Sequence, residues 1–431
     1  MGKKAGFLFV GMSVICLFAA CLLCYGGRKT GYRFQKMKEE CREKWETGQE
    51  KEQKIKQKME QQTEQDWVVE EDVEGPYGGK LSYSGRFLLT EKDTIFVAGF
   101  ELDTGAALFG GENVPDKEEY NIYRLKDGIW EVFASHPPES VNNEEIKYHC
   151  FGDVTSVRNL ICYDGFLYYS LLYDDEPGMG GDRPEYIYRI PVQGGEAEEL
   201  ALAYDTFCIY KEKIYYIGVE GSKNGWEYVC WEMEPDGKNR RAVYRRREAG
   251  NRKCKVFSIG GGCLYMEGAD ENGITGVNLE TGDIKYYNTL QTDIVNLYYE
   301  NGYLYILTDD HHNGGNIVWR MDVVTGEIEQ LVERVDYFIC LENGYLYYLW
   351  HDPSNGNETI NVLNLDTGRS SAETLEEKGN SHMRIVDDKF VVITYVYGEN
   401  WNKEKDIYYI YKINTLPLER LDRKEVPVKT P

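Results

Sequence analysis

Acidic residues recur after tyrosine-rich, alternating apolar segments, and they give the chain a candidate binding site. Six of them follow such segments: Asp174, Asp175, Asp270, Asp309, Asp310 and Asp352. Carboxylates and carbonyls are the ligands that Ca²⁺ prefers, and a ring of carboxylates also attracts basic partners. The spacing therefore predicts an acidic face that binds calcium or a basic ligand. The alternative is that these acids serve solubility alone.

Two Asp-Thr-Gly tripeptides, at residues 103–105 and 366–368, match the motif in which two aspartates share a proton. The second lies at a glycine turn that recurs at residues 280–282, and Asp and Thr before Gly suit turns. His311 and His312 follow two aspartates, but neighbouring residues of a strand point apart, which favours a solvated loop over a metal site.

The sequence has no Gly-x-Ser-x-Gly elbow and no glycine-rich phosphate loop before a helix. We therefore predict a non-catalytic binding module without a bound cofactor, calcium excepted. The alternative is an enzyme acting on polysaccharide, with its site in the central channel of the fold described below.

Charge is distributed unevenly along the 431 residues, whose formal net charge is −24. Residues 1–66 contain 13 basic and 9 acidic residues. Residues 67–431 therefore contain 36 basic and 64 acidic residues. A domain this acidic is unsuited to nucleic acid, because phosphate contacts require an excess of Lys and Arg. We expect protein, peptide or glycan partners instead.

Tyrosine-rich hairpins repeat along residues 67–431. Asn301-Gly302 and Asn343-Gly344 each precede an alternating apolar run, and Asp164-Gly165 begins a close copy. Asn-Gly and Asp-Gly between such runs are strong hairpin signals, because both turn positions require positive φ. Each repeat has four strands and a period of 40–50 residues, counted from these turns. This pattern predicts an all-β propeller of about seven four-stranded blades.

The 35 tyrosines have a structural explanation in such a fold. Alternation places Tyr303 and Tyr305 on one side of a blade and Leu304 and Ile306 on the other. Blades stack face to face, so we expect most tyrosines in the core between blades. Stacking of exposed aromatic residues on carbohydrate is the alternative.

The segments Asp164-Gly165-Phe166-Leu167-Tyr168-Tyr169, Ile187-Tyr188-Arg189-Ile190 and Ile214-Tyr215-Tyr216 resemble a bacterial propeller family of unknown function. That family is similar to the propeller of low-density-lipoprotein-receptor-related protein, and the resemblance covers roughly residues 80–420. It implies a propeller in an exported, membrane-attached setting. It supplies no catalytic residue.

Residues 5–27 contain no charged side chain, and at about 1.5 Å per residue they can span a bilayer core. We predict a signal anchor at residues 1–27. A conventional cleaved signal is one alternative. A lipoprotein signal with Cys21 as the lipidated residue is another, since small residues precede it. Basic residues on both sides leave orientation open, and the family resemblance favours an extracellular C-terminal domain over a cytoplasmic one.

Residues 28–66 are rich in Lys, Glu and Gln, and we predict a helical stalk between the anchor and a propeller at residues 67–431. The apolar stripes of the stalk are short, so we expect a monomer, with pairing of stalks as the alternative. The seven cysteines beyond the stalk are odd in number, which favours free buried thiols over a full disulfide framework. Pairing of Cys208 with Cys230, or of Cys254 with Cys263, is the alternative.

Overall fold

The computed structural model describes fourteen ranges of the chain. They are residues 88–91, 94–137, 154–174, 185–204, 207–222, 225–247, 257–267, 273–288, 293–310, 315–335, 339–352, 357–386, 389–397 and 403–427. The predicted anchor, Cys21, the predicted stalk and the domain boundary at residue 67 lie outside these ranges. In the part that is described, no helix is long and apolar enough to cross a membrane.

In the described ranges, twenty-eight strands form seven antiparallel sheets, and each sheet consists of four strands that are consecutive in sequence. The predicted all-β propeller with seven four-stranded blades is therefore confirmed.

Blades 1 to 4 occupy the first half of the ring. Blade 1 contains β1 (Leu88–Glu91), β2 (Thr94–Ala98), β3 (Asn121–Lys126) and β4 (Ile129–Ser135). Blade 2 contains β5 (Val154–Tyr163), β6 (Phe166–Asp174), β7 (Glu185–Pro191) and β8 (Glu198–Ala203). Blade 3 contains β9 (Phe207–Tyr210), β10 (Lys213–Ser222), β11 (Gly225–Met233) and β12 (Arg241–Arg247). Blade 4 contains β13 (Phe257–Gly260), β14 (Cys263–Glu267), β15 (Gly273–Asn278) and β16 (Ile284–Asn288).

Blades 5 to 7 complete the ring. Blade 5 contains β17 (Ile294–Glu300), β18 (Tyr303–Asp310), β19 (Gly315–Asp322) and β20 (Ile328–Val335). Blade 6 contains β21 (Ile339–Glu342), β22 (Tyr345–Asp352), β23 (Asn357–Asn364) and β24 (Ser370–Thr374). Blade 7 contains β25 (Asn380–Val386), β26 (Lys389–Tyr397), β27 (Lys403–Lys412) and β28 (Glu419–Pro427).

Two-residue turns with positive φ join the first and second strands of blades 2 to 6, the blades in which the structure describes this turn. Asn301 and Gly302 have φ of 50° and 82°, as the Asn-Gly signal predicts. In blade 3 the turn residues are Lys211 and Glu212, with φ of 44° and 62°. No glycine marks this turn, and alignment of the repeats by sequence therefore predicts it at Glu212–Lys213, one residue too late.

Seven apolar clusters fill the spaces between successive blades. Leu304 and Ile306 pack toward blade 4, whereas Tyr305 and Leu307 pack toward blade 6. The predicted alternation is therefore confirmed, and both faces of a blade are core. Nine of the twelve largest fully buried side chains among the described residues are tyrosines, so their main role is structural.

The ring has a central channel and two opposite faces. First strands of neighbouring blades contact each other, as β13 does β17, so they surround the channel. We call the face with the turns between first and second strands, including Asp164–Gly165, Lys211–Glu212, Asn301–Gly302 and Asn343–Gly344, the turn face. The face where second strands such as β6, β18 and β22 end is the crossover face.

Blade 1 carries an insertion that the strand pattern did not predict. A 3-10 turn (Gly99–Glu101) and a helix, α1 (Leu102–Phe109), lie between β2 and β3. Leu102 is fully buried against blade 7. The first Asp-Thr-Gly tripeptide is part of this helix, whereas the second lies in the turn after β23.

Candidate functional site

A pocket of about 590 Å³ opens on the turn face, where blades 1, 2 and 3 meet. Its volume falls within the range of about 300–1,000 Å³ that is usual for small-ligand sites. Nine described residues line it: Glu91, Cys162, Tyr163, Asp164, Gly165, Val192, Glu212, Glu234 and Pro235.

Ends of strands and tight turns position these residues. Glu91 ends β1, and Cys162 and Tyr163 end β5, all of them first strands beside the channel. Asp164 and Glu212 occupy the two-residue turns of blades 2 and 3. A hairpin turn presents its side chains at the face of the ring, because the flanking strands are buried.

Hydrogen bonds between blades hold the far wall of the pocket. The carbonyl oxygen of Pro235, in the loop after β11, accepts bonds from Tyr168 Oη at 3.1 Å and from Arg189 Nη1 at 3.0 Å. The backbone N–H of Val192 donates to the carbonyl oxygen of Gly165 at 3.0 Å. Blades 2 and 3 therefore form one wall with a fixed shape.

The pocket is negatively charged. Glu91, Asp164, Glu212 and Glu234 contribute four carboxylates, and none of the nine described lining residues is basic. The Lys213 ammonium pairs with Glu234 and neutralises one of the four charges. The lining residues themselves provide no positive charge to neutralise the other three carboxylates. Asp164 and Glu212 are exposed, so a ligand can reach them from solvent.

Two neighbouring groups feel this negative potential. Burial raises the pKa of Tyr163, and the Glu212 and Asp164 carboxylates raise it further. Burial also raises the pKa of the Cys162 thiol to about 12, and Glu91 adds to this shift. Both groups are therefore neutral near pH 7, and the thiol is not a nucleophile there. The arrangement is suited to attracting a cation and not to thiolate chemistry.

Four of the six acids singled out in the sequence lie in described strands, and all four are on the opposite face. Asp174 ends β6, Asp310 ends β18 after Asp309, and Asp352 ends β22. Asp175 and Asp270 lie outside the described ranges, as do His311 and His312. Within the described ranges, no three His, Cys, Asp or Glu side chains are grouped as metal ligands. Calcium binding stays a prediction.

Two further acids near this face are engaged by basic side chains. Glu101 is only 2% exposed and lies against Arg384, so it does not extend an exposed acidic rim. Asp103 pairs with Lys117 at 2.6 Å. Asp366 follows β23 in an exposed turn. The first Asp-Thr-Gly tripeptide thus lies in a helix, whereas the second lies in a turn, as the glycine-turn repeat predicts for the second alone.

None of the five described cysteines forms a disulfide. Cys162, Cys208, Cys230 and Cys263 are buried, and Cys340 is partly buried. The alternative disulfide between Cys208 and Cys230 is wrong, and Cys263 is not part of a disulfide either. Cys150 and Cys254 lie outside the described ranges.

The pocket could have been anticipated only in part from the sequence. Asp164 was visible as a turn residue, but Glu91, Glu212 and Glu234 belong to three separate segments. Their convergence depends on the order of the blades around the ring. The shared signal, an acid at the turn end of a strand, is present in each case.

No family model matches the chain, and no curated protein matches it. The resemblance to a bacterial propeller family therefore stays a prediction.

Solved structures match the fold. A prolyl endopeptidase, solved in a study of inter-domain dynamics in catalysis and specificity, has a TM-score of 0.53 and 12% identity over 81% of this chain and 51% of its own. A puromycin hydrolase variant has a TM-score of 0.46 and 10% identity over 79% and 52%. A nidogen/laminin complex has a TM-score of 0.36 and 13% identity over 60% of this chain and 91% of its own. This chain spans about half the length of the two enzymes, and such identities show the fold alone.

Proposed function

We propose that the protein is a membrane-anchored, extracellular propeller that binds a cationic group of a protein or peptide through its turn-face pocket. The observation that supports this proposal is the convergence of Glu91, Asp164, Glu212 and Glu234 on one cavity of about 590 Å³. The uncharged residues 5–27 support the anchor.

A cationic ligand gains from this arrangement in two ways. Carboxylates at the rim of a concave site raise the local concentration of cations and speed their association. Inside the pocket, Tyr163, Val192 and Pro235 supply apolar surface for the aliphatic part of a Lys or Arg side chain. A basic peptide therefore suits the site better than a neutral glycan does.

Binding of short peptides to the full-length protein in detergent tests the proposal. We compare Gly-Arg-Gly-Arg-Gly with the same peptide carrying Gln in place of Arg, by calorimetry. The double variant Glu91→Gln/Glu212→Gln should lose about three- to tenfold in affinity for the arginine peptide, which corresponds to roughly 0.3–0.7 kcal/mol for each carboxylate.

A matched variant on the crossover face, Asp309→Asn/Asp352→Asn, removes the same charge from the acids predicted by the sequence. It should leave the affinity within about twofold. Equal losses in the two variants would show that net charge alone attracts the peptide, and a loss only in the crossover variant would move the site to that face. If the protein turned over a polysaccharide, and substitution of one channel carboxylate abolished that turnover, the protein would be an enzyme and not a binding module.

The anchor has its own test. Full-length protein should remain in the membrane fraction after a carbonate wash. Soluble protein that begins after residues 20–30 without lipid contradicts the anchor, and a lipid on Cys21 selects the lipoprotein alternative.

A further inference from the structure

Helix α1 lies across the seam between blade 7 and blade 1, where the two ends of the propeller chain meet. It belongs to blade 1, because it is inserted between β2 and β3. The helix nevertheless contacts blade 7 at both of its ends. The other six junctions join blades that are consecutive in sequence, so this seam alone lacks a direct chain connection among the seven described blades.

The start of the helix contacts the innermost strand of blade 7. Glu101 precedes α1 and is 2% exposed, and its Oε1 lies 3.1 Å from Nη2 of Arg384 on β25. The second oxygen, Oε2, is buried and has no hydrogen-bond partner among the described residues. Removing one member of a buried ion pair leaves an uncompensated charge, which is far more costly than losing an exposed pair.

The end of the helix contacts the outermost strand. Nζ of Lys424, on β28, donates to the carbonyl oxygen of Ala107 at 2.8 Å and lies 3.4 Å from that of Leu108. These are carbonyl groups of the last turn, which have no partner within a helix and carry its negative partial charge. The Lys424 ammonium therefore caps α1 from another blade.

The length of α1 matches the width of a blade. Eight residues at about 1.5 Å each give about 12 Å, and four strands about 4.8 Å apart span about 14 Å. Thr104, in the first half of the helix, faces the hydroxyl of Tyr408 on β27 and partly offsets the rise that burial causes in the pKa of that hydroxyl. The helix thus reaches from β25 to β28 along the radius of blade 7.

The remaining contact at the seam is side-chain packing. Each sheet uses only strands of its own blade, so no strand is shared between blades 1 and 7. Buried residues from both sides form one cluster: Val97, Leu102, Tyr123, Leu125 and Trp130 from blade 1, with Val386, Val391, Ile393 and Tyr408 from blade 7. Hydrogen bonds to α1 supplement this cluster.

We propose that α1 is a clasp that closes the propeller ring, fastened by Glu101–Arg384 at its start and by Lys424 at its end. Without these contacts, the ring opens first at the seam between blades 1 and 7. The proposal is independent of the pocket, because blade 1 stays packed on blade 2 through Phe96, Ala98, Val157 and Leu167.

Hydrogen–deuterium exchange of the full-length protein tests the clasp. In Glu101→Gln, amides of β1–β4 and β25–β28 should exchange at least tenfold faster, while β13–β20 should be unchanged. The control is Glu329→Gln, which removes the exposed Arg320–Glu329 pair inside blade 5 and should alter neither region.

A second variant, Lys424→Met, covers the case in which Glu101→Gln does not fold. It retains the buried ion pair and should produce the same pattern with a smaller acceleration. Exchange that rises equally in all seven blades, or that does not rise at blades 1 and 7 in the variant that folds, would overturn the clasp.

Discussion

The hydroxyl of Tyr168 in blade 2 donates a hydrogen bond of 3.1 Å to the carbonyl oxygen of Pro235 in blade 3. Tyr168 is fully buried, and Pro235 lines the acidic pocket. A core residue thus holds a residue of the pocket wall in position. If the pocket binds the peptide as proposed, we expect affinity and packing to be coupled through this bond.

Tyr168→Phe should therefore weaken binding of the arginine peptide without removing any charge. The bond from Arg189 to the same carbonyl remains, so the stability loss should be about 1 kcal/mol, typical of one hydrogen bond. Calorimetry and urea unfolding measure the two effects. Lost stability with unchanged affinity would contradict the coupling.

A second tyrosine should respond in the opposite way. Tyr216 is fully buried, but its hydroxyl has no hydrogen-bond partner among the described residues. Tyr216→Phe should be neutral or stabilising in urea unfolding, because a buried polar group without a partner is costly.

Tyr123 is the matched control for that change. Its hydroxyl donates to the carbonyl oxygen of Asp116 at 2.7 Å and accepts from the N–H of Glu118 at 2.7 Å. Tyr123→Phe should cost about 1–3 kcal/mol. Equal changes in stability for Tyr216→Phe and Tyr123→Phe would show that the hydrogen bonds of the hydroxyl group do not determine the effect.

Stability should depend on His136 in mild acid. Burial lowers the pKa of His136 from 6.5 to about 4, and its Nε2 lies 2.6 Å from Tyr169 Oη. Between pH 6.5 and 4 the unfolded chain binds the proton more tightly, so stability falls as the pH falls, by up to roughly 3 kcal/mol. Below about pH 4 this contribution is constant.

His136→Gln should remove that part of the pH dependence, and His351→Gln, at an exposed position, should leave it intact. Thermal unfolding at pH 7, 5.5 and 4 measures the difference. Identical pH profiles for the wild type and His136→Gln would rule out this source of acid sensitivity.

Peptide binding at the pocket should be sensitive to salt. The carboxylates of Asp164 and Glu212 are exposed, and screening reduces their attraction beyond about 10 Å at 0.1 M ionic strength. Affinity for the arginine peptide should fall at least about fivefold between roughly 0.02 and 0.5 M NaCl. An affinity independent of salt would indicate apolar recognition.

Local sequence signals were sufficient for the blades. Asn301-Gly302 and Asn343-Gly344 marked their turns, and alternation around Leu304 and Tyr305 assigned side chains to opposite faces correctly. These features depend on residues a few positions apart. Alignment of the repeats predicts the turn at Lys211–Glu212 one residue too late, because two residues other than glycine adopt positive φ there.

Features that join distant segments were not predictable in the same way. Glu101 is buried against Arg384, which lies 283 residues later in the chain, and no local pattern indicates this pairing. Glu91 joins Asp164 and Glu212 in the pocket only because blades 1, 2 and 3 are neighbours in the ring. Neither relation leaves a periodic signal, and one sequence alone does not reveal it.

Because every blade consists of four consecutive strands, the chain could begin at any blade while the order of the blades around the ring stays the same. A circularly permuted chain that began at β13 and joined Pro427 to Leu88 by a short linker would retain all seven sheets. Only three residues separate Ala203 from Phe207 at an existing junction, so such a linker need not be long. In that chain blades 7 and 1 would be covalent neighbours, and α1 would no longer sit where the polypeptide is interrupted.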